Sequence, residues 1–208
     1  MNMPEIWRTA LFGGVLGSAA QAGHIVARFR ADPQLMLAGA RQLFLHGPSY
    51  LFKNAEGLVG AFAPMIGTAD IREMDWGFIA GTCFWIRTSV LTRMAACEPR
   101  FRAGDYTTDG TPAHAAERMF GLAVALSGGK VLLQDLRFPD RFPEPETGFP
   151  ADLPRKTILM APTLTPLAAN LFVRPRRAPV AAVLQPRRRV AVFASYSGNG
   201  LLPPQVIP

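Results

Sequence analysis

Trp76-Gly77-Phe78-Ile79-Ala80-Gly81-Thr82-Cys83-Phe84-Trp85-Ile86-Arg87 is the most strand-like stretch of the chain. Phe78, Ala80, Thr82, Phe84 and Ile86 alternate with Ile79, Gly81, Cys83, Trp85 and Arg87, the period of two that sends side chains to opposite sheet faces. Both rows are largely apolar. A strand apolar on both faces belongs inside a sheet covered by helices, which predicts one interior strand over 76–87. Thr88 to Ala96 follows as a short helix. Gly81 within a strand marks a bulge, tight packing, or close approach by a ligand. Trp85 reads as a core residue or a stacking platform for a sugar ring. Cys83 reads as a small buried hydrophobe.

The neighbouring segments supply helices and further strands. Thr111 can cap a helix that begins at Pro112, runs to about Ser127 and stops at Gly128-Gly129. Lys130 to Leu136 is a predicted strand, and Leu35 to Ala40 a buried one. Towards the amino end, Trp7, Leu11 and Val15 share one helical stripe. Gly17-Ser18 breaks it, and Ser18 caps a second helix from Ala19 to Arg30 that Asp32-Pro33 stops. His46-Gly47-Pro48-Ser49 is a turn, and a helix over Phe52 to Phe62 is expected to end at Pro64. These elements predict an α/β fold, mixed and three-layer-like, with Trp7 to Leu136 as one compact unit.

Composition divides the chain. Of 208 residues, 49% are hydrophobic and 18% charged, enough for a core and incompatible with a wholly disordered chain. Residues 1–140 carry 13 Lys+Arg against 12 Asp+Glu, a net of +1; residues 141–208 carry 9 against 3, a net of +6. Twelve of the 19 prolines also lie after residue 140. The basicity thus belongs to a Pro-rich tail, expected to be poorly packed, and nucleic acid is not expected as a partner of the nearly neutral body. Residues 1–140 form the expected body, 141–187 a Pro/Arg-rich linker, and within 188–208 Val190 to Ala194 is expected to be extended but poorly anchored. Two cysteines rule out a disulfide scaffold, and three histidines leave little for a histidine-built metal cage. The uncharged run from Thr9 to Ala27 imitates a signal peptide, but glycines interrupt it and Glu5 accompanies Arg8 ahead of it.

The densest polar cluster is Gly104-Asp105-Tyr106-Thr107-Thr108-Asp109-Gly110-Thr111-Pro112-Ala113-His114-Ala115-Ala116-Glu117-Arg118. His114, Glu117 and Gly121 share one helical face at i, i+3 and i+7. Asp109 lies just before the helix, where free backbone N–H groups favour anionic ligands. An Asp, a His and a Glu together suit acid/base work or a divalent metal; cap and ion-pair roles are the plainer alternative. Ser127-Gly128-Gly129-Lys130 lacks the glycine and hydroxyl of a phosphate-binding loop, and Ser195-Tyr196-Ser197-Gly198 is not a nucleophile elbow.

Taken in order, Trp7-Arg8, the Leu16-Gly17-Ser18 break, Ala27 to Pro33, Phe78 to Arg87 and Asp109 to Gly121 resemble the carboxyl-terminal half of the rhamnan synthesis protein F family. The resemblance covers about Trp7 to Leu136; Pro112 departs from it, standing where the family usually has a larger apolar residue. It implies a bacterial glycosyltransferase of cell-surface polysaccharide assembly, with a nucleotide-sugar donor and a glycan acceptor. By the resemblance and by their shared face Asp109, Glu117 and His114 are the catalytic candidates; Gly81, Thr82, Trp85 and Arg118 are the substrate-binding candidates, and Arg188 to Tyr196 resembles the first strand of a second such module. A cytoplasmic location, peripheral at the inner membrane, would follow. The donor-binding half would precede Trp7, so the chain alone is expected to be an inactive fragment. The alternative is a non-catalytic carbohydrate-binding or scaffolding remnant.

Overall fold

The computed structural model of the chain describes residues 3–51, 54–97, 112–156 and 192–193. Two helices open it, α1 (Met3–Leu16) and α2 (Ala19–Ala31). The Ser18 hydroxyl accepts from the Gln21 N–H at 3.1 Å, as an N-cap should. At the other end of α2, Arg87 donates to the carbonyls of Phe29, Leu35 and Asp32 at 2.8–2.9 Å. It thereby closes carbonyls that the helix end leaves open.

β1 (Leu35–Ala40) is the centre of a five-stranded mixed sheet. It pairs in parallel with β5 (Lys130–Gln134) and antiparallel with β4 (Phe84–Ile86). β6 (Glu146–Thr147) extends the sheet beyond β5, and β7 (Val192–Phe193) pairs antiparallel with β4. A small second sheet joins β2 (Phe44–His46) to β3 (Gly77–Ile79). Alternation along β5 explains the layering. Leu132 packs with Leu35, Ala38 and Ile25 of α2, while Val131 and Leu133 join the larger core with Met119 and Leu122. Those last two belong to α5 (Pro112–Leu126), so helices cover both faces of the sheet. The fold is mixed α/β with a mixed sheet, as expected.

Phe78, Phe84 and Ile86 are all buried, and 112–126 is helical, in line with the sequence. The single strand over 76–87 is corrected. Gly81 (φ +86°) and Thr82 (φ +52°) turn the chain between β3 and β4, so each strand joins a different sheet. The helix expected to stop before Pro64 is corrected too. α3 (Asn54–Ile66) continues through Pro64 with a kink at Phe62, because proline lacks an N–H and its ring clashes with the preceding turn. α4 (Thr88–Ala95) follows β4 as expected.

The loosely held tail from Arg141 is corrected for residues 141–156. Phe149 is 5% exposed and stacks on Phe44 at 5.6 Å. Glu144 pairs with Arg28, while Glu146 and Asp152 both pair with Arg41. Prolines make this strap irregular, but one aromatic anchor and several ion pairs hold it to the body. Residues 157–187, and the segment 188–208 apart from β7, lie outside the described residues. Among the described residues, no single helix is long and apolar enough to cross a membrane. Ala10, Leu11 and Val15 of α1 are instead packed into the core.

Candidate functional site

Two sequence-distant motifs meet where α5 crosses the β3–β4 turn. The helix lies very close to β3 because residue 121 is glycine: a Cβ there would fall on the Gly77 carbonyl oxygen. That approach brings Glu117, one turn earlier, to the turn. Its Oε1 accepts from the Gly81 backbone N–H at 2.6 Å. Gly81 suits the turn because its φ is positive, which L side chains rarely adopt. Thr82 is buried beside it at a φ that β-branched residues rarely adopt. Strained backbone of this kind persists only where its surroundings hold it, and the Glu117 carboxylate is one such support.

Arg118 is 6% exposed and belongs to the body of the protein. Its Nε donates to the Tyr50 carbonyl and its Nη1 to the His114 carbonyl, both at 2.8 Å, and its guanidinium lies over the Phe78 ring at 5.1 Å. Nη1 is also 3.5 Å from Glu117 Oε2. His114 sits half-buried in the first turn of α5, on the stripe it shares with Glu117. Gly81, Thr82, His114, Glu117 and Arg118 are therefore brought to one locality. Trp85 is not. Phe84 faces α5, with its ring 5.0 Å from that of Phe120, so Trp85 points to the other face of β4. Its indole N–H donates to the Val15 carbonyl of α1 at 2.9 Å, which makes it an anchor for that helix. Asp109 lies outside the described residues.

Both Glu117 oxygens face hydrogen-bond donors, the Gly81 N–H and Arg118, which a cation would have to displace. Among the described residues, no three His, Cys, Asp or Glu side chains are grouped to hold a metal ion.

A second polar cluster went unread in the sequence. Buried His46 of β2 meets Ser49, Asp75 and Arg155. Burial pushes its imidazole below the ordinary value; Arg155 adds to that, and Asp75 opposes it. At the carboxyl end of β5, burial works to raise the Asp135 carboxyl. Hydrogen bonds from Arg137 and Gln42 outweigh this and hold it below the ordinary carboxylate value. Asp135 and Arg137 are only two positions apart, whereas His46 and Arg155 are 109 apart, so no local spacing marks the His46 cluster.

The fold and the turn–helix contact define a mixed α/β protein, and comparison with known proteins adds a partial relationship. A stretch of 128 residues is 30% identical to a protein described as uncharacterized protein WxcX from Xanthomonas campestris pv. campestris strain B100. The same identity and length hold for WxcX of strain ATCC 33913. The match covers 60% of this chain and 18% of each relative, so the chain spans less than a fifth of their length. No family model matches the chain. No solved structure matches it significantly.

Proposed function

We propose that this chain is part of a glycosyltransferase of the rhamnan synthesis F type, acting in bacterial cell-surface polysaccharide assembly. The supporting observation is the 2.6 Å hydrogen bond from the Gly81 N–H to Glu117. It ties together the two motifs, Phe78 to Arg87 and Asp109 to Gly121, on which the resemblance rests. Sugar transfer from a nucleotide donor needs a base for the acceptor hydroxyl and stabilisation of the departing diphosphate. In this reading Asp109 and His114 do the acid/base work. Glu117 shapes the turn, and Gly81 and Thr82 form the wall against which the acceptor sugar lies. Donor binding is not assigned to any of these residues, and the 208-residue chain by itself is expected to turn over no substrate. Its setting is the cytoplasmic side of the inner membrane.

One observation favours a second reading, non-catalytic glycan binding or scaffolding. Both oxygens of Glu117 are spent on Gly81 and Arg118, which is what a structural carboxylate looks like. Titrating a rhamnose oligosaccharide onto the ¹⁵N-labelled chain tests what the two readings share. Amide shifts centred on Gly81, Thr82 and the first turn of α5 are expected. Shifts elsewhere, or none, would count against both.

A further inference from the structure

The His46 cluster has a geometry that permits only one protonation state. Arg155 Nη1 lies 2.6 Å from His46 Nε2 and 2.9 Å from Asp75 Oδ1. A guanidinium can only donate, so Nε2 must accept with its lone pair. The ring proton then sits on Nδ1 and is donated to Ser49 Oγ at 2.7 Å. Ser49 is thus an acceptor here and cannot pass its own proton to His46, which excludes a Ser-His-Asp hydrolase reading of this trio. Protonating Nε2 would set an N–H against a guanidinium at contact distance, so the two cannot coexist. Asp75 Oδ1, 3.5 Å from Nε2, is already placed to receive that new N–H once Arg155 leaves.

We propose that His46, Asp75 and Arg155 form a pH-sensitive latch that fixes the end of the strap, residues 150–156, to the β2–β3 sheet. It is closed while His46 is neutral and opens when His46 is protonated. In the closed state Arg155 bridges His46 and Asp75. In the open state imidazolium and carboxylate pair directly, and Arg155 is released. Asp75 and Arg155 are the charged groups facing the ring among the described residues; Ser49 and Phe149, the latter edge-on at 4.9 Å, are neutral. Buried Phe149 lies N-terminal to the latch and holds the rest of the strap in both states, so opening is confined to its last residues. Each unit by which the His46 pKa differs between the two states is tenfold in their ratio. This device does not depend on glycosyl transfer.

Imidazole ¹H–¹⁵N correlation spectra of the intact chain provide the test, with His46 assigned through His46→Gln. At about pH 8 His46 is expected as the Nδ1–H tautomer, the less common one in solution. Arg155→Ala removes the repulsive cation and leaves Asp75, so its titration should move upward; Asp75→Asn should move it downward. The amides of Leu153 and Arg155 should shift with the same midpoint as the His46 ring. An Nε2–H tautomer at about pH 8 in the wild type would overturn the latch without any variant. So would a titration midpoint indifferent to Arg155→Ala, or strap amides that ignore the His46 titration.

Discussion

Replacing Glu117 by alanine removes the acceptor of the Gly81 N–H and leaves that part-buried donor without a partner from α5. A hydrogen bond to a charged group contributes about 1.5–3 kcal/mol, and a buried donor left unpaired forfeits most of that. Arg118 softens the loss, since it keeps the carbonyls of Tyr50 and His114 and meets Glu117 only at 3.5 Å. The strained Thr82, with φ +52°, loses one of its supports at the same time. Together these place the destabilisation at about 2 kcal/mol. Glu117→Gln keeps an oxygen in the same position without the charge, so it should cost about half as much. Urea unfolding followed by circular dichroism at neutral pH reads both values, and an unchanged m-value certifies the comparison. The reasoning would be refuted if Glu117→Ala fell within about 0.5 kcal/mol of the wild type, the range of an ordinary surface change. A glutamine variant as damaged as the alanine one would instead mean that charge, not the hydrogen bond, holds the turn.

Gly121→Ala should cost at least as much as any overpacked core change, about 1–3 kcal/mol, because the new methyl meets the Gly77 carbonyl; calorimetry should show it. Arg87→Ala should destabilise the chain by about 2–3 kcal/mol, and Arg87→Lys should recover only part, since a single ammonium lacks the spread of guanidinium donors that reaches all three carbonyls. Cys83 is buried and its thiol pushed up by burial, whereas Cys97 is half-buried, so a disulfide reagent should modify Cys97 first and reach Cys83 only on unfolding. His46 sits below its ordinary value of 6.5 in the folded chain, so the unfolded chain binds more protons just below that pH. Unfolding free energy should therefore fall as pH drops from about 6.5 through the folded value, and His46→Gln should flatten that stretch of the curve.

The legible parts of this fold are those where local pattern and tertiary outcome agree. Alternation from Phe78 to Ile86 marks the buried positions correctly, and Pro112 with Gly128 frames α5. The same alternation conceals the turn at Gly81-Thr82. Thr82 is β-branched and reads as strand, while one support of the turn is the Glu117 carboxylate, 36 positions from Gly81. The prolines after Arg141 suggest a loose tail because the residues that hold the strap are distant: Arg28 for Glu144, Arg41 for Glu146, His46 for Arg155. Within the candidate site, helical spacing puts His114 and Glu117 on one face, but it carries no information that Glu117 reaches Gly81. Trp85 was separable in principle, since strand alternation already sets it opposite Phe84.

Sugar transfer itself remains the most direct measurement. The 208-residue chain, joined to the amino-terminal remainder of a glycosyltransferase module, should move rhamnose from a nucleotide donor to a glycan acceptor, while the chain alone should not. In the joined protein Asp109→Ala should lower turnover by about 100-fold or more, and Glu117→Gln should lower it far less than Glu117→Ala. Robust transfer by the chain alone, or full activity of Asp109→Ala in the joined protein, would contradict the roles assigned to these residues. No transfer by the joined protein from any nucleotide sugar would contradict the glycosyltransferase reading.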